Sequence, residues 1–133
     1  MSDRFADTAY FIALINPGDD AHHSAVRLTG EFTGTIFTTT AVLTELANHL
    51  KDPPNRALFL ETVQRLQNGQ ARIVHVDVET FDAGMDLYAA RGDKHWSLTD
   101  CISFVVMNKF RLAEALTTDH HFQQAGFTAL LAT

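Results

Sequence analysis

The sequence predicts an α/β protein, specifically a three-layer α/β/α sandwich around a central parallel sheet of four to five strands. Short β-branched or apolar segments alternate along the chain with longer segments of helical periodicity. One of the helical segments, residues 98–107, is apolar on almost every face, which is typical of a helix at the centre of a fold. Alternation of strands and helices favours a parallel sheet with helices on both of its faces.

The first half of the chain begins with a predicted strand that ends near Asp7. The apolar run Tyr10–Ile15 predicts a helical turn, and residues 20–32 predict a second, more polar helix that the glycines stop. Residues 35–38 are β-branched or aromatic and predict the second strand. This strand leads directly into a helix.

That third helix carries an apolar stripe and has Thr39 and Thr40 available as caps. Pro53 and Pro54 break it, because proline cannot continue a helix interior. A further amphipathic helix is predicted over Ala57–Leu66, and a buried strand over Arg72–Val76.

The second half repeats the alternation. Residues 78–91 predict a helix, and Ser97 opens the strongly apolar helix. Residues 115–118 predict a strand that is followed by a turn at Asp119, and residues 127–131 predict the last strand.

The composition is that of a folded protein of ordinary size. A chain of 133 residues with 46% hydrophobic and 20% charged residues can bury one core, so we expect a single domain over 1–133. No apolar run approaches the roughly 20 residues of a membrane span, and Asp7 interrupts the N-terminal stretch where a signal peptide needs apolar residues. We therefore expect no membrane partner and a cytoplasmic location, which the single cysteine also fits.

The net charge of −6 argues against a protein that coats nucleic acid, since that affinity comes mainly from lysine and arginine. A nuclease is still compatible with this charge. Acidic residues that surround cations in one pocket can present a locally positive site on a negative molecule.

Four acidic residues stand in unusual surroundings, and each also has a structural explanation. Asp7 lies between two apolar blocks, where a carboxylate is costly unless it is paired, but it can also be a turn residue at a strand end. Glu45 lies at the edge of an apolar helix stripe, where a solvated role is the simpler interpretation. Asp100 has the capping-box spacing from Ser97. Asp119 follows a predicted strand and can cap a turn.

Taken together, the segments around these acids resemble the PIN (PilT N-terminus) domain family over essentially the whole chain. The segments are Asp7-Thr8, Thr44-Glu45-Leu46, the run from Ser97 to Phe104, and the run from Thr117 to Phe122, the last similar to the VapC-type toxin branch. Cys101 stands where small residues such as alanine are commoner, and the third segment has one carboxylate where some members have two. Neither departure removes a candidate ligand.

The resemblance implies a PIN-like strand order of 3-2-1-4-5 and a metal-dependent ribonuclease. It also implies a homodimer and a cognate antitoxin whose tail lies over the acidic groove. The matching residues would be the catalytic acids Asp7, Glu45, Asp100 and Asp119.

The chemistry of clustered carboxylates fits this expectation. Two carboxylates about 4 Å apart repel by roughly 4 kcal/mol at an effective dielectric of 20, and a hard divalent cation relieves the repulsion. All-oxygen ligands favour Mg²⁺ or Mn²⁺ over zinc. We therefore expect Asp7, Asp100 and Asp119 to hold one or two such ions and Glu45 to complete the site, directly or through water. Their neighbours Thr8 and Thr99 are candidates to orient ligands or phosphate.

Particular residues argue against two other functions. An aspartyl-phosphate phosphatase needs a second Asp where Ala9 stands, and a receiver domain needs a Lys that the segment ending at Asp119 does not offer. The alternative from another class is a non-catalytic module of the same fold that binds RNA or protein. His120 and His121 are predicted to be exposed polar residues, with a phosphate contact as the alternative.

Overall fold

The structure is a computed structural model that describes residues 3–133, so residues 1 and 2 of the predicted domain lie outside the described part. Within that part, strands and helices alternate as the sequence predicts. In chain order the elements are β1 (Arg4–Ala6), α1 (Thr8–Ile15), α2 (His22–Glu31), β2 (Ile36–Thr39), α3 (Thr40–His49), α4 (Pro53–Asn68), β3 (Arg72–Val74), α5 (Val78–Ala90), α6 (Leu98–Lys109), β4 (Glu114–Leu116), α7 (His120–Gln124) and β5 (Thr128–Ala129).

The five strands form one parallel sheet in the order β3-β2-β1-β4-β5. In the central strand β1, Phe5 is in register with Phe37 of β2 on one side and with Ala115 of β4 on the other. This order and the flanking helices confirm the predicted three-layer sandwich. The chain moves outward from β1 to β3 in one direction and then returns to place β4 on the opposite side of β1.

Aromatic side chains dominate the core where α6 meets the sheet. Phe104 of α6 packs edge-on against Phe122, at 4.9 Å between ring centroids, and against Trp96, at 5.0 Å. These side chains are almost completely buried. The prediction that residues 98–107 form a central helix is confirmed, because most of that helix has no exposed face.

Several element boundaries differ from the prediction, including those of β3, which ends at Val74 rather than Val76, and β4, which spans Glu114–Leu116 rather than 115–118. Helix α4 begins at Pro53 rather than at Ala57, because proline fits the first helical turn, where its missing N–H has no partner to lose. Helix α7 was not predicted, since five residues are too few to show helical periodicity. The last strand is shorter than predicted, with only Thr128 and Ala129 in the ladder.

Helices α5 and α6 approach closely at Gly84. A Cβ atom at this position would lie 2.6 Å from Cγ1 of Ile102, so only glycine permits the contact. Beside this contact, α5 carries four exposed apolar side chains at helical spacing, which we call the α5 stripe. They are between 42% and 78% exposed and comprise Val78, Phe81, Met85 and Tyr88.

Across residues 3–133, no helix is both long and apolar enough to cross a membrane.

Candidate active site

A cleft lies at the carboxyl edge of the sheet, between the ends of β1 and β4, where the strand order reverses. This is the place where parallel α/β folds bind their ligands. The cleft has a volume of about 470 Å³. All four predicted acids are among its lining residues, which are Asp7, Thr8, Ala9, Ile12, Glu45, His95, Ser97, Asp100, Thr118, Asp119 and His121.

A larger cavity of about 590 Å³ lies between α1, α2 and α4. Apolar residues line most of it, and it contains none of the four acids. The smaller cleft is the candidate active site because the titratable groups converge there.

Asp7 directly follows β1 and occupies the N-cap position of α1, yet its carboxylate makes no capping hydrogen bond. Instead, Thr117 Oγ1 donates a hydrogen bond of 2.9 Å to Asp7 Oδ2. The residue is only 5% exposed. Burial raises the pKa of Asp7 to about 7, against hydrogen bonds from Thr117 and the Thr8 backbone, and the charges of Asp100 and Glu45 raise it further.

Asp100 caps α6, as its spacing from Ser97 predicts, and it also lines the cleft. It forms the predicted capping box, with Ser97 N donating to its Oδ2 at 3.2 Å and its own N–H donating to Ser97 Oγ at 3.0 Å. The same Oδ2 lies 3.2 Å from Nδ1 of His121. Burial raises the pKa of Asp100 and the charge of Asp119 raises it further, while the Ser97 backbone and His121 oppose the shift.

Asp119 is the N-cap of α7, where its Oδ1 accepts a hydrogen bond of 2.9 Å from the backbone of His121. Its own N–H donates to Thr117 Oγ1 at 3.0 Å. Thr117 therefore links the segments that carry Asp7 and Asp119. The sequence interpretation missed this role, although a hydroxyl residue beside a strand-end aspartate was a usable signal.

Glu45 lies on α3 and is exposed, as the solvated-helix interpretation expects, but it also lines the cleft. Thr8 also lines the cleft, but unlike Glu45 it is buried. Its hydroxyl is buried and has no hydrogen-bond partner in the described structure. Thr99 is not among the lining residues, and its carbonyl oxygen accepts a hydrogen bond of 2.9 Å from Ser103 Oγ.

The cleft is rich in negative charge and poor in fixed positive charge. Within residues 3–133, no lysine or arginine lines it or forms an ion pair with its acids. The neighbouring basic groups are imidazoles, which carry charge only when protonated. Buried carboxylates without a fixed positive charge beside them are costly, and a bound divalent cation would relieve that cost.

The sequence profile of the PIN domain matches residues 4–128, and the chain belongs to this family. Its similarity places it on the VapC-type branch. It is 30% identical over 124 residues to the 23S rRNA-specific endonuclease VapC20 of Mycobacterium tuberculosis strain H37Rv. The aligned residues cover 92% of this chain and 94% of that protein.

Solved structures support the same assignment. The crystal structure of Mycobacterium tuberculosis VapC20, described as a sarcin–ricin loop cleaving toxin, superposes with a TM-score of 0.85 at 26% identity and covers 93% of this chain and 95% of that one. VapBC2 from Rickettsia felis, bound to a DNA fragment from its promoter, has a TM-score of 0.68 at 12% identity and 96% coverage of both chains. FitAcB from Neisseria gonorrhoeae has a TM-score of 0.68 at 14% identity, covering 95% of this chain and 94% of that one. The last two share the fold.

Proposed function

We propose that this protein is a divalent-metal-dependent endoribonuclease and the toxin of a toxin–antitoxin pair, with residues 1–133 acting as a single nuclease domain in the cytoplasm. The observation that carries the proposal is the convergence of Asp7, Glu45, Asp100 and Asp119 in one cleft that lacks lysine and arginine among its described lining residues. The four acids come from four separate segments of the chain.

The residues present suit Mg²⁺ or Mn²⁺, because carboxylate oxygens are the ligands that these hard cations prefer. Asp7, Asp100 and Asp119 would hold the ion or ions, and Glu45 would complete the site directly or through water. When bound, the metal supplies an acidified water and neutralises charge on the phosphate. The unpartnered hydroxyl of Thr8 also fits this role, because it has a hydrogen bond to give to a ligand in the cleft.

The protein's own residues prepare the cleft for that chemistry. Thr117 donates to Asp7 and accepts from the backbone of Asp119, which holds these two acids in place. Thr8 would orient a metal ligand or a phosphate oxygen. Thr99 was predicted for the same task, but it lies outside the cleft lining, so Thr8 is the better supported of the two.

RNA is the proposed substrate, and large-subunit ribosomal RNA is the proposed target, since the VapC20 relative is named as specific for 23S rRNA. The cleft offers no lysine or arginine in the described part of the chain, so contact with phosphate would depend on bound cations. Cleavage should therefore stop completely when the cations are removed.

The direct test uses the purified protein with a hairpin RNA that contains the sarcin–ricin loop and with a hairpin of scrambled loop sequence. We expect cleavage of the first hairpin at one position with Mn²⁺ or Mg²⁺, and none with EDTA. Cleavage that persists in EDTA would contradict the metal dependence. Intact RNA under every metal condition would favour the non-catalytic binding module, as would calorimetry that detects no heat with Mn²⁺.

The proposed protein partner is a cognate antitoxin whose tail would cover the acidic cleft. A short open reading frame beside this gene that encodes a DNA-binding motif would support this pairing.

We also propose that the protein is a homodimer in which the α5 stripe packs against the same stripe of a second copy. Apolar side chains on one helix face are self-complementary in a two-fold contact. Replacing Phe81, which is 44% exposed, with Asp should convert the dimer to a monomer in light scattering after size exclusion. The exposed Leu60→Asp variant on α4 is the control, and a Phe81→Asp variant that stays dimeric would contradict the proposed interface.

A further inference from the structure

One imidazole nitrogen in the cleft lies between two of the acids. Nδ1 of His121 is 3.2 Å from Asp100 Oδ2 and 3.3 Å from Asp119 Oδ1. The two carboxylates belong to different elements, since Asp100 lies in the first turn of α6 and Asp119 caps α7. The His121 side chain is only 19% exposed, so the contact is sheltered from solvent.

These distances match the spacing of neighbouring ligands around a single ion. Adjacent ligands of an octahedral ion with bonds of about 2.1 Å lie about 3 Å apart. The nitrogen therefore stands near this separation from each of the two oxygens. Shared coordination would bring both carboxylates and the imidazole onto one cation.

A second observation points independently to a ligand in this cleft. Thr8 is 6% exposed and lines the same cleft, and its hydroxyl has no partner in the described structure. A buried hydroxyl normally has a hydrogen-bond partner, so a bound group such as metal-coordinated water would satisfy it.

We propose that His121 contributes Nδ1 as a metal ligand together with Asp100 and Asp119, so that the site holds mixed nitrogen and oxygen ligands. This inference rests on the proposed metal site and goes beyond its carboxylates. An imidazole ligand favours first-row transition ions over Mg²⁺, which retains oxygen ligands. His121 would thus set the metal preference of the nuclease.

The adjacent His120 provides a matched comparison within the same segment. The candidate ligand atoms of Asp119, His120 and His121 lie within 4.8 Å of one another. Nδ1 of His120, however, is 3.7 Å from Asp119 Oδ1, and its side chain is 70% exposed. It contacts one of the two carboxylates, whereas His121 contacts both.

The test measures nitrogen coordination directly by pulsed electron paramagnetic resonance of the protein loaded with Mn²⁺ alone. In the unaltered protein we expect the Mn²⁺ electron spin echo to be modulated by a directly bound ¹⁴N nucleus. When histidine is labelled with ¹⁵N in the ring, the ¹⁵N pattern should replace this modulation. His121→Gln should lose the modulation, whereas His120→Gln and His95→Gln should retain it. The labelling needs no variant and so does not depend on the folding of one.

The outcomes separate this inference from the proposed function. Bound Mn²⁺ without nitrogen modulation would overturn the ligand role of His121 and leave the carboxylate site intact, with His121 as a hydrogen-bond partner only. Absence of bound Mn²⁺ would overturn both proposals.

Metal competition gives a second measurement of the same inference. In His121→Gln, the preference for Mn²⁺ over Mg²⁺ should fall by about tenfold, since one nitrogen ligand is lost. The His120→Gln control should keep the original preference. An equal loss of affinity for both ions in His121→Gln would contradict the inference.

Discussion

Replacing Asp100 with Asn is expected to reduce metal-dependent RNA cleavage by about a thousandfold or more, on the order of 4 kcal/mol of transition-state stabilisation, while the fold is retained. The change removes the charge that would hold the cation. The amide oxygen of Asn can still accept the hydrogen bond from Ser97 N, so the start of α6 keeps its cap. Initial rates on a cleavable RNA with Mn²⁺ measure the effect, and circular dichroism verifies the fold.

Asp77→Asn is the matched control for this variant. Asp77 is the N-cap of α5 and accepts a hydrogen bond of 2.8 Å from Thr80 N, but it does not line the cleft. The same chemical change there should leave cleavage unaffected. Full activity in Asp100→Asn would remove Asp100 from the proposed metal site.

The sequence predicted the sheet because its strands and helices differ in local pattern. Strand β2 is β-branched and aromatic, while α6 is apolar on nearly all sides, and such signals come from neighbouring residues. Helix α7 has only five residues and shows no such periodicity. Its start depends instead on the Asp119 cap, which was interpreted as a turn.

The four acids could be predicted as a set because two of them follow strands whose carboxyl ends meet at one edge, and because the surrounding segments resemble one family in the right order. The contacts among them could not. Thr117 and Asp7 are 110 positions apart, and His121 and Asp100 are 21 apart. Such pairs depend on how β1, β4 and α6 pack in three dimensions, which no local pattern specifies.

Thr99 was predicted, as the neighbour of Asp100, to orient ligands or phosphate, but it is not among the residues that line the cleft. Successive residues on a helix point about 100° apart, so a residue beside Asp100 need not face the same cleft. The backbone of Thr99 instead accepts the hydroxyl of Ser103 one turn later. His121 is also separated from its neighbour His120 by this geometry, and the two make different contacts.

Asp7→Asn is expected to abolish cleavage and yet to stabilise the metal-free protein at pH 8. Burial raises the pKa of Asp7 from 3.8 to about 7, so the folded protein binds more protons at this residue than the unfolded chain between those values. Stability from Asp7 is therefore greatest at low pH and declines as the pH rises to 7. Asn carries no charge to bury, which removes a cost of roughly 2–4 kcal/mol above pH 7.

Thermal unfolding in EDTA tests whether the carboxylate of Asp7 destabilises the metal-free protein. The Asp7→Asn variant should melt several degrees above the unaltered protein at pH 8, and the difference should shrink by pH 5, where Asp7 is mostly protonated in the folded state. Mn²⁺ at saturating concentration should reverse the order of the two unfolding temperatures at pH 8, because a cation that binds only the folded site stabilises it by mass action.

Asp77 is the control and should behave oppositely, since the hydrogen bond with Thr80 lowers its pKa, and Asp77→Asn should gain no stability at pH 8. If Asp7→Asn unfolds at a lower temperature than the unaltered protein at pH 8 in EDTA, the buried carboxylate does not destabilise the metal-free protein, and its burial must be explained without a metal.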